Sequence, residues 1–508
     1  MKVVMSTIDV SSLTWPRPDN PWTLSLYFAG LYLAYCVINA IYSAYVGPLS
    51  KFPGPKSRAL SKLPYIWTIL KGTEGTELPE LHEKYGPVVR IAPDHLSFNG
   101  GALAWKDIYG FKKNAYKDPF FYGKPFNGIA SLITADDENH SRQRKLVSHA
   151  FADKTLRELE PMLKKWVGVM KEKMTEKAIA GEKSDMLKFY NCTTFDIMGD
   201  LSFNEGLDML ENGEYSSWVK AIFLGIKDAV RLRTIRLLNS YVNWFVVKFI
   251  MQNETIRKKV AEHWNYSKER VDRRLAKKPE QPDLWSKILE KSDGPGGLTV
   301  GEHHSLASLF MVAGTETTAT ALSGVTYYLL KNPDTLKKLT TEIREAHASF
   351  DELTLESIAQ LKYLHAVLQE GLRVYPPVPC TLPRLVPKGG ASLDGEHVPE
   401  GTIVGVHQLS TYRSSTHWTK PYEFHPERWL GDPEFAGDHL DSLEPFSTGP
   451  RNCIGKNLAW HEMRLILATT LWCFDLELCE ESKDWADQKI FTLWEKVPLI
   501  CRLTPAQS

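Results

Sequence analysis

The first strong pattern along the chain is an unbroken apolar run. No charged residue occurs from Asn20 to Ser50, and Trp22 to Val46 is mostly Leu, Ile, Val, Ala, Phe and Tyr. A bilayer is crossed by roughly 20 apolar residues in a helix, so this stretch predicts a membrane-spanning segment over 21–47. Trp22, Tyr27, Tyr42 and Tyr45 stand near its ends, where aromatic anchors collect. A Pro-rich linker, 48–56, follows with Phe52-Pro-Gly-Pro55, a stiff turn with few backbone donors.

Beyond it the periodicity turns to that of a large globular body, 57–508. Leu78 to Tyr85 reads as a short helix with Pro79 near its start. Gly86 to Phe98 alternates β-branched residues about a Pro-Asp turn and predicts a hairpin. Residues 112–133 are rich in Gly, Pro and aromatics, among them Phe120, Phe121, Tyr122 and Phe126. They fit an apolar substrate-facing loop or a surface loop with partly buried rings. Helical spacing dominates 155–290, with long charged faces turned to solvent. Thr299 and Glu302 make a capping box, and apolar positions continue to Leu330 until Asn332-Pro333. That predicts one helix of about 31 residues, roughly 46 Å long, enough to cross a whole domain. Another helix runs from Leu361 to Arg373 and stops at Pro376-Pro377; Leu385 to Val406 reads as short strands with turns at Gly389-Gly390 and Asp394-Gly395. Lys456 to Phe474 is again helix-periodic.

Composition narrows the picture modestly. With 43% hydrophobic and 24% charged residues in 508, the chain can bury a large core. A formal net charge of zero argues against a nucleic-acid binder. Seven cysteines without Cys-x-x-Cys pairs suggest neither a disulfide framework nor a zinc site. Lys51, Lys56, Arg58 and Lys62 follow the apolar run with no acid until Glu74, which places the body on the cytosolic side and the tail, 1–20, across the membrane.

The chemistry concentrates at Phe446-Ser-Thr-Gly449-Pro-Arg451-Asn-Cys453-Ile-Gly455. Gly449 and Gly455 are expected to take backbone conformations forbidden to a side chain, letting the chain wrap under a large flat ligand. Cys453 precedes a helix, whose free N–H groups and dipole favour a thiolate. A thiolate so presented suits an axial ligand of haem iron; the plain alternative is a buried, inert cysteine.

A second anomaly lies mid-way along the long helix, at Ala313-Gly314-Thr315-Glu316-Thr317-Thr318. Gly and clustered Thr weaken a helix interior, and a local rule broken in a buried helix points to a site. Reduction of dioxygen consumes two protons before the O–O bond breaks. Ala313 and Gly314 would leave room, Thr317 would hydrogen-bond the oxygen, and Glu316 would relay protons through water. Without the cysteine loop, the same pattern also fits a kinked core helix with its threonines satisfied internally. His140 and Arg144 are four apart on one helix face and can reach one anion.

The spacing Phe-x-x-Gly-x-Arg-x-Cys-x-Gly resembles the haem-binding signature of the cytochrome P-450 monooxygenases, and Ala-Gly-x-Glu-Thr-Thr resembles their oxygen-activation motif. Glu370-x-x-Arg373 with Pro426-Glu427-Arg428 is similar to the family's Glu-x-x-Arg and Pro-Glu-Arg pair. The likeness is to microsomal, secondary-metabolism members from filamentous fungi and spans essentially the whole chain. It implies a mainly α prism fold with a small β region and an N-terminal transmembrane helix. It implies haem b on Cys453, with His140, Arg144, Arg384 and Arg451 at the propionates and Phe446, Ala313, Gly314 and Gly455 around the cofactor. Thr317 and Glu316 become catalytic, and Glu370, Arg373 and Arg428 a buried structural triad; Val378 to Leu382 would line the substrate cavity.

The chain carries no flavin or nicotinamide fingerprint, so NADPH and flavins act through a partner. The resemblance names NADPH–cytochrome P-450 reductase, with cytochrome b5 as a second donor, at the endoplasmic reticulum membrane with the catalytic domain cytosolic. Arg142, Lys145, Arg451 and Lys456 form the expected docking face. The implied activity is oxidation of a lipophilic terpenoid or polyketide. A haem-thiolate isomerase or dehydratase, and a non-catalytic haem sensor or carrier, remain as alternatives.

Overall fold

The computed structural model describes residues 21–112, 115–123, 125, 128–238, 244, 245, 248, 249, 253–277, 282–292, 294 and 296–506. The tail 1–20 and Phe126 lie outside them. Helix α1, Pro21–Tyr45, stands clear of the rest, its large apolar side chains exposed. It is the one candidate membrane span among the described residues, with a mean hydropathy of 1.7 over Leu24–Tyr45. The linker is packed rather than free. Arg90 donates Nη1 to the Ser43 carbonyl at 2.9 Å and Nη2 to Ser43 Oγ at 2.8 Å, which ties the end of α1 to the sheet. A Cβ on Gly54 would fall 2.4 Å from the Arg90 carbonyl oxygen, so glycine lets the turn lie flat on that strand.

The body is mainly helical. Its small sheet begins with β1, Val88–Ala92, and β2, His95–Phe98, the expected antiparallel hairpin with Arg90 opposite Leu96. The preceding helix starts at Glu74 rather than Leu78 and holds Pro79 inside it, a correction of one turn. Strand β3, Tyr116–Lys117, falls within the aromatic loop. Helix α2, Asp137–Val147, is capped by Asp136, whose side chain accepts from the Asn139 amide. Helix α3, Met186–Phe203, is buried on nearly every face, and α4, Ser217–Leu238, follows.

Helix α5, Val300–Lys331, spans 32 residues with the expected capping box at Thr299 and Glu302. It packs lengthwise on α3: Tyr190 Oη and Thr326 Oγ1 are 2.8 Å apart, and Thr194 Oγ1 donates to the Thr315 carbonyl at 3.3 Å. Helix α6, Lys362–Val374, and then β4, Arg384–Leu385, and β5, Ile403–Val406, come next. Between these strands Asp394 and Gly395 both take positive φ, 51° and 78°, in a two-residue hairpin turn. The five strands run in the order β1-β2-β5-β4-β3. The last long helix, α7, Lys456–Cys473, lies under α5 and delivers the chain to the C-terminal strands.

Candidate functional site

The cysteine loop is shaped by close backbone approach. Gly449 has φ +75°, and a Cβ there would lie 2.0 Å from the Tyr109 carbonyl oxygen, so glycine is required. The Cys453 amide donates to the Phe446 carbonyl at 2.8 Å and closes the loop. From α2, Arg144 donates Nη1 to the Asn452 carbonyl and Nη2 to Asn452 Oδ1, each at 2.6 Å. The residue before the cysteine is therefore clamped. Gly455 departs from expectation: its φ of −83° is open to any residue. Its open side instead faces the sulfur, since a Cβ there would sit 4.0 Å from Cys453 Sγ.

Cys453 is exposed, between the half-buried Asn452 and Ile454. Burial pushes its thiol up, outweighing the Gly455 amide, Arg144 and Lys456, which act the other way. The helix itself begins at Lys456.

Helix α5 packs against α7, the helix that follows the cysteine loop, and Ala313 is exposed in the middle of this largely buried helix. Gly314 does not share the role expected for it. A Cβ there would lie 2.9 Å from Met198 Sδ, so the missing side chain admits α3. The threonines are satisfied within the helix: Thr315 donates to the Met311 carbonyl at 2.6 Å, Thr317 to Ala313 at 2.7 Å and Thr320 to Glu316 at 2.6 Å. The helix nevertheless runs unbroken, and Thr317 Oγ1 keeps its lone pairs for an incoming donor. Glu316 is buried, with Oε1 2.5 Å from Lys496 Nζ and Oε2 without a partner.

Basic side chains cluster between α2, β3, β4 and the cysteine loop. Lys117 and Arg384 stand directly opposite each other on β3 and β4. Like charges so paired repel. Burial and then the charges of Arg384 and Arg451 push Lys117 down to about 6. Burial, then Arg451, Arg144 and Lys117, push His140 down to about 4. Arg451 donates Nη2 to the Ala135 carbonyl at 2.9 Å and to Asp137 Oδ1 at 2.7 Å, while its Nη1 is buried without a partner. Arg384 donates Nη1 to Tyr122 Oη at 3.0 Å. Lys117 was invisible as a site residue in the sequence, since a two-residue strand carries no motif.

These features fit a haem. An accessible sulfur on a clamped loop, a small exposed residue on the long helix and a cluster of basic side chains suit a flat ligand that carries an iron and two carboxylates. Cys453 would ligate the iron; Lys117, His140, Arg384 and Arg451 would take the carboxylates.

Behind the cysteine loop the triad is present. Glu370 Oε1 accepts from Arg373 Nη2 at 2.7 Å, the His425 amide at 2.9 Å and Arg428 Nε at 3.1 Å; Oε2 accepts from Arg373 Nε at 2.9 Å and Trp429 Nε1 at 3.0 Å. All three charged side chains are fully buried. Burial alone would raise the Glu370 carboxyl, but Arg373 and then Arg428 hold it below its ordinary value. The expected docking face is thinner than foreseen. Arg142 is engaged with Glu302 and the Gly297 carbonyl, and Arg451 with Asp137, leaving Lys145 and Lys456 exposed.

Comparison with known proteins agrees with this geometry. A family profile described as Cytochrome P450 matches residues 57–501. Cytochrome P450 monooxygenase efuB of Hormonema carpetanum is 48% identical over 487 residues, covering 94% of this chain and 95% of that protein. Cytochrome P450 monooxygenase FUM2 of Gibberella moniliformis is 41% identical over 484 residues, 92% of this chain and all of the relative. Averantin hydroxylase of Dothistroma septosporum is 38% identical over 505 residues, 98% and 94% of the two chains.

Proposed function

The chain belongs to the cytochrome P450 family and is a haem monooxygenase akin to those of fungal secondary metabolism, and we propose that it oxidises a lipophilic terpenoid or polyketide at the membrane surface. The observation that carries this reading is an accessible Cys453 on a loop clamped by Arg144, beside the basic cluster of Lys117, His140, Arg384 and Arg451. The balance is RH + O2 + NADPH + H+ → ROH + NADP+ + H2O, with NADPH oxidised by a separate flavoprotein reductase.

Haem held by Cys453 supplies the reduction of dioxygen and the oxidation of a C–H bond. The rest falls to side chains. Lys117, His140, Arg384 and Arg451 bind and orient the two carboxylates. Arg144 holds the loop through Asn452. Thr317, its proton committed to the Ala313 carbonyl, receives a hydrogen bond at Oγ1, and Glu316 passes protons at Oε2. Val378 and Leu382, partly buried before β4, bound the substrate space. Helix α1 anchors the chain in the endoplasmic reticulum membrane, with the body on the cytosolic side, and Lys145 and Lys456 meet the reductase.

The test is expression beside a microsomal NADPH reductase with a panel of terpenoids and polyketides, following oxygen uptake and products. Hydroxylated product that requires NADPH and reductase is expected. Turnover of a hydroperoxide without reductase, and none of the panel with it, would overturn the reading in favour of an isomerase or dehydratase.

A further inference from the structure

Glu316 is not free in its helix. Lys496, from the segment joining the strands Leu493–Trp494 and Ile500–Pro505, reaches the buried side of α5. Its Nζ lies 2.5 Å from Glu316 Oε1 and 2.5 Å from Thr320 Oγ1, and both charged side chains are buried, at 7% and 4% exposure. Thr320 completes the arrangement by donating to the Glu316 carbonyl at 2.6 Å. The segment is fixed on its far side as well, because neighbouring Glu495 pairs with Lys227 of α4.

A buried pair of this kind is weak evidence of stabilisation, since desolvation offsets much of the attraction. Its effect on Glu316 is specific, however. The ammonium holds one carboxyl oxygen and fixes which way the side chain turns. With Oε1 and the Thr320 hydroxyl both occupied, only Oε2 remains for exchange, and it is buried and unpartnered. Thr317, the next residue, is partly exposed and donates to the carbonyl of the exposed Ala313 at 2.7 Å.

We propose that Lys496 is a positioning residue for proton delivery: it holds Glu316 by Oε1 and leaves Oε2 as the atom that passes the proton on. The inference rests on the reading of Glu316 as a proton donor given above. No motif announces Lys496, which lies 180 positions from its partner.

The test compares Lys496→Met, Lys496→Arg, Thr320→Val and Glu316→Gln in the full-length, haem-loaded protein with reductase, NADPH and no added substrate. Dioxygen is then reduced either to water, with four electrons and four protons, or to hydrogen peroxide, with two of each. Loss of the positioned donor is expected to lower the water share about tenfold in Lys496→Met and Glu316→Gln, a fraction of the ~10²–10⁴ a positioned proton donor contributes. Lys496→Arg should restore most of it, and Thr320→Val should fall between. The second readout is infrared difference spectroscopy of the protein without turnover. Lys496→Met should show a new Glu316 carboxyl band, its side chain no longer held at Oε1, that disappears in the Lys496→Met, Glu316→Gln double variant. A wild-type water share and no new band in Lys496→Met, with Glu316→Gln impaired, would overturn the role of Lys496 alone. A wild-type water share in Glu316→Gln would overturn the reading of Glu316 itself. Should Lys496→Met fail to hold haem, Thr320→Val decides: wild-type behaviour there overturns the proposal.

Discussion

Replacing Glu370 by Gln removes the charge on which five donors converge. Arg373 contributes Nε and Nη2, Arg428 contributes Nε, and the His425 amide and Trp429 indole complete the set. A Gln side chain offers one acceptor oxygen and turns an NH2 group toward donors. Arg428 keeps Asp438 as a counter-charge, whereas Arg373 retains only the carbonyls of Tyr412, Pro421 and Glu423. The substitution thus strands one buried guanidinium, which costs about 3–5 kcal/mol. At 1.36 kcal/mol per tenfold, that is roughly a 10²- to 10⁴-fold shift toward unfolding. Urea unfolding followed by haem absorbance and far-ultraviolet circular dichroism measures it. The pH dependence has a definite sign. Because the folded Glu370 carboxyl lies below its unfolded value of about 4.3, its contribution is complete above that pH. It is lost as pH falls through the folded value, so wild type and variant should converge in acid. Equal urea midpoints at neutral pH, or a gap that persists unchanged in acid, would refute the reasoning.

Three further outcomes are expected. Gly449→Ala forces φ +75° on a side-chain residue, at about 1–2 kcal/mol, and drives a methyl into the Tyr109 carbonyl; haem incorporation per protein should collapse while helix content stays near wild type. Lys117→Met should speed haem loss to excess apomyoglobin severalfold, and an unchanged rate would remove Lys117 from the cluster that binds the carboxylates. Reversing Lys145 and Lys456 to Glu should weaken reductase-driven turnover and flatten its dependence on salt, with unaltered kinetics arguing that the reductase meets another face.

Much of the fold was legible because local rules coincide with tertiary need. The capping box at Thr299 and Glu302 marks the start of α5 in sequence and in space, and Asp394-Gly395 makes the turn its residue types require. The cysteine loop was legible for a similar reason, since Gly449 takes the positive φ its loop requires. Two other glycines were misread: Gly314 admits Met198 of α3, and Gly455 leaves room beside the Cys453 sulfur. Charge pairing was equally hidden. Arg142 and Arg451 look free in sequence, yet Glu302 and Asp137 engage them from distant positions. Lys117 and Lys496 escaped because each matters only through a neighbour that folding brings to it.

Cys453 is assigned as the thiolate ligand of a haem, and the absorption spectrum of the reduced, carbon monoxide-treated protein tests that assignment most directly. The wild type should show the red-shifted Soret band of a thiolate-bound iron, and Cys453→Ala should lose it. An imidazole-type spectrum in the wild type, or the thiolate band surviving in Cys453→Ala, would contradict the site described for this chain.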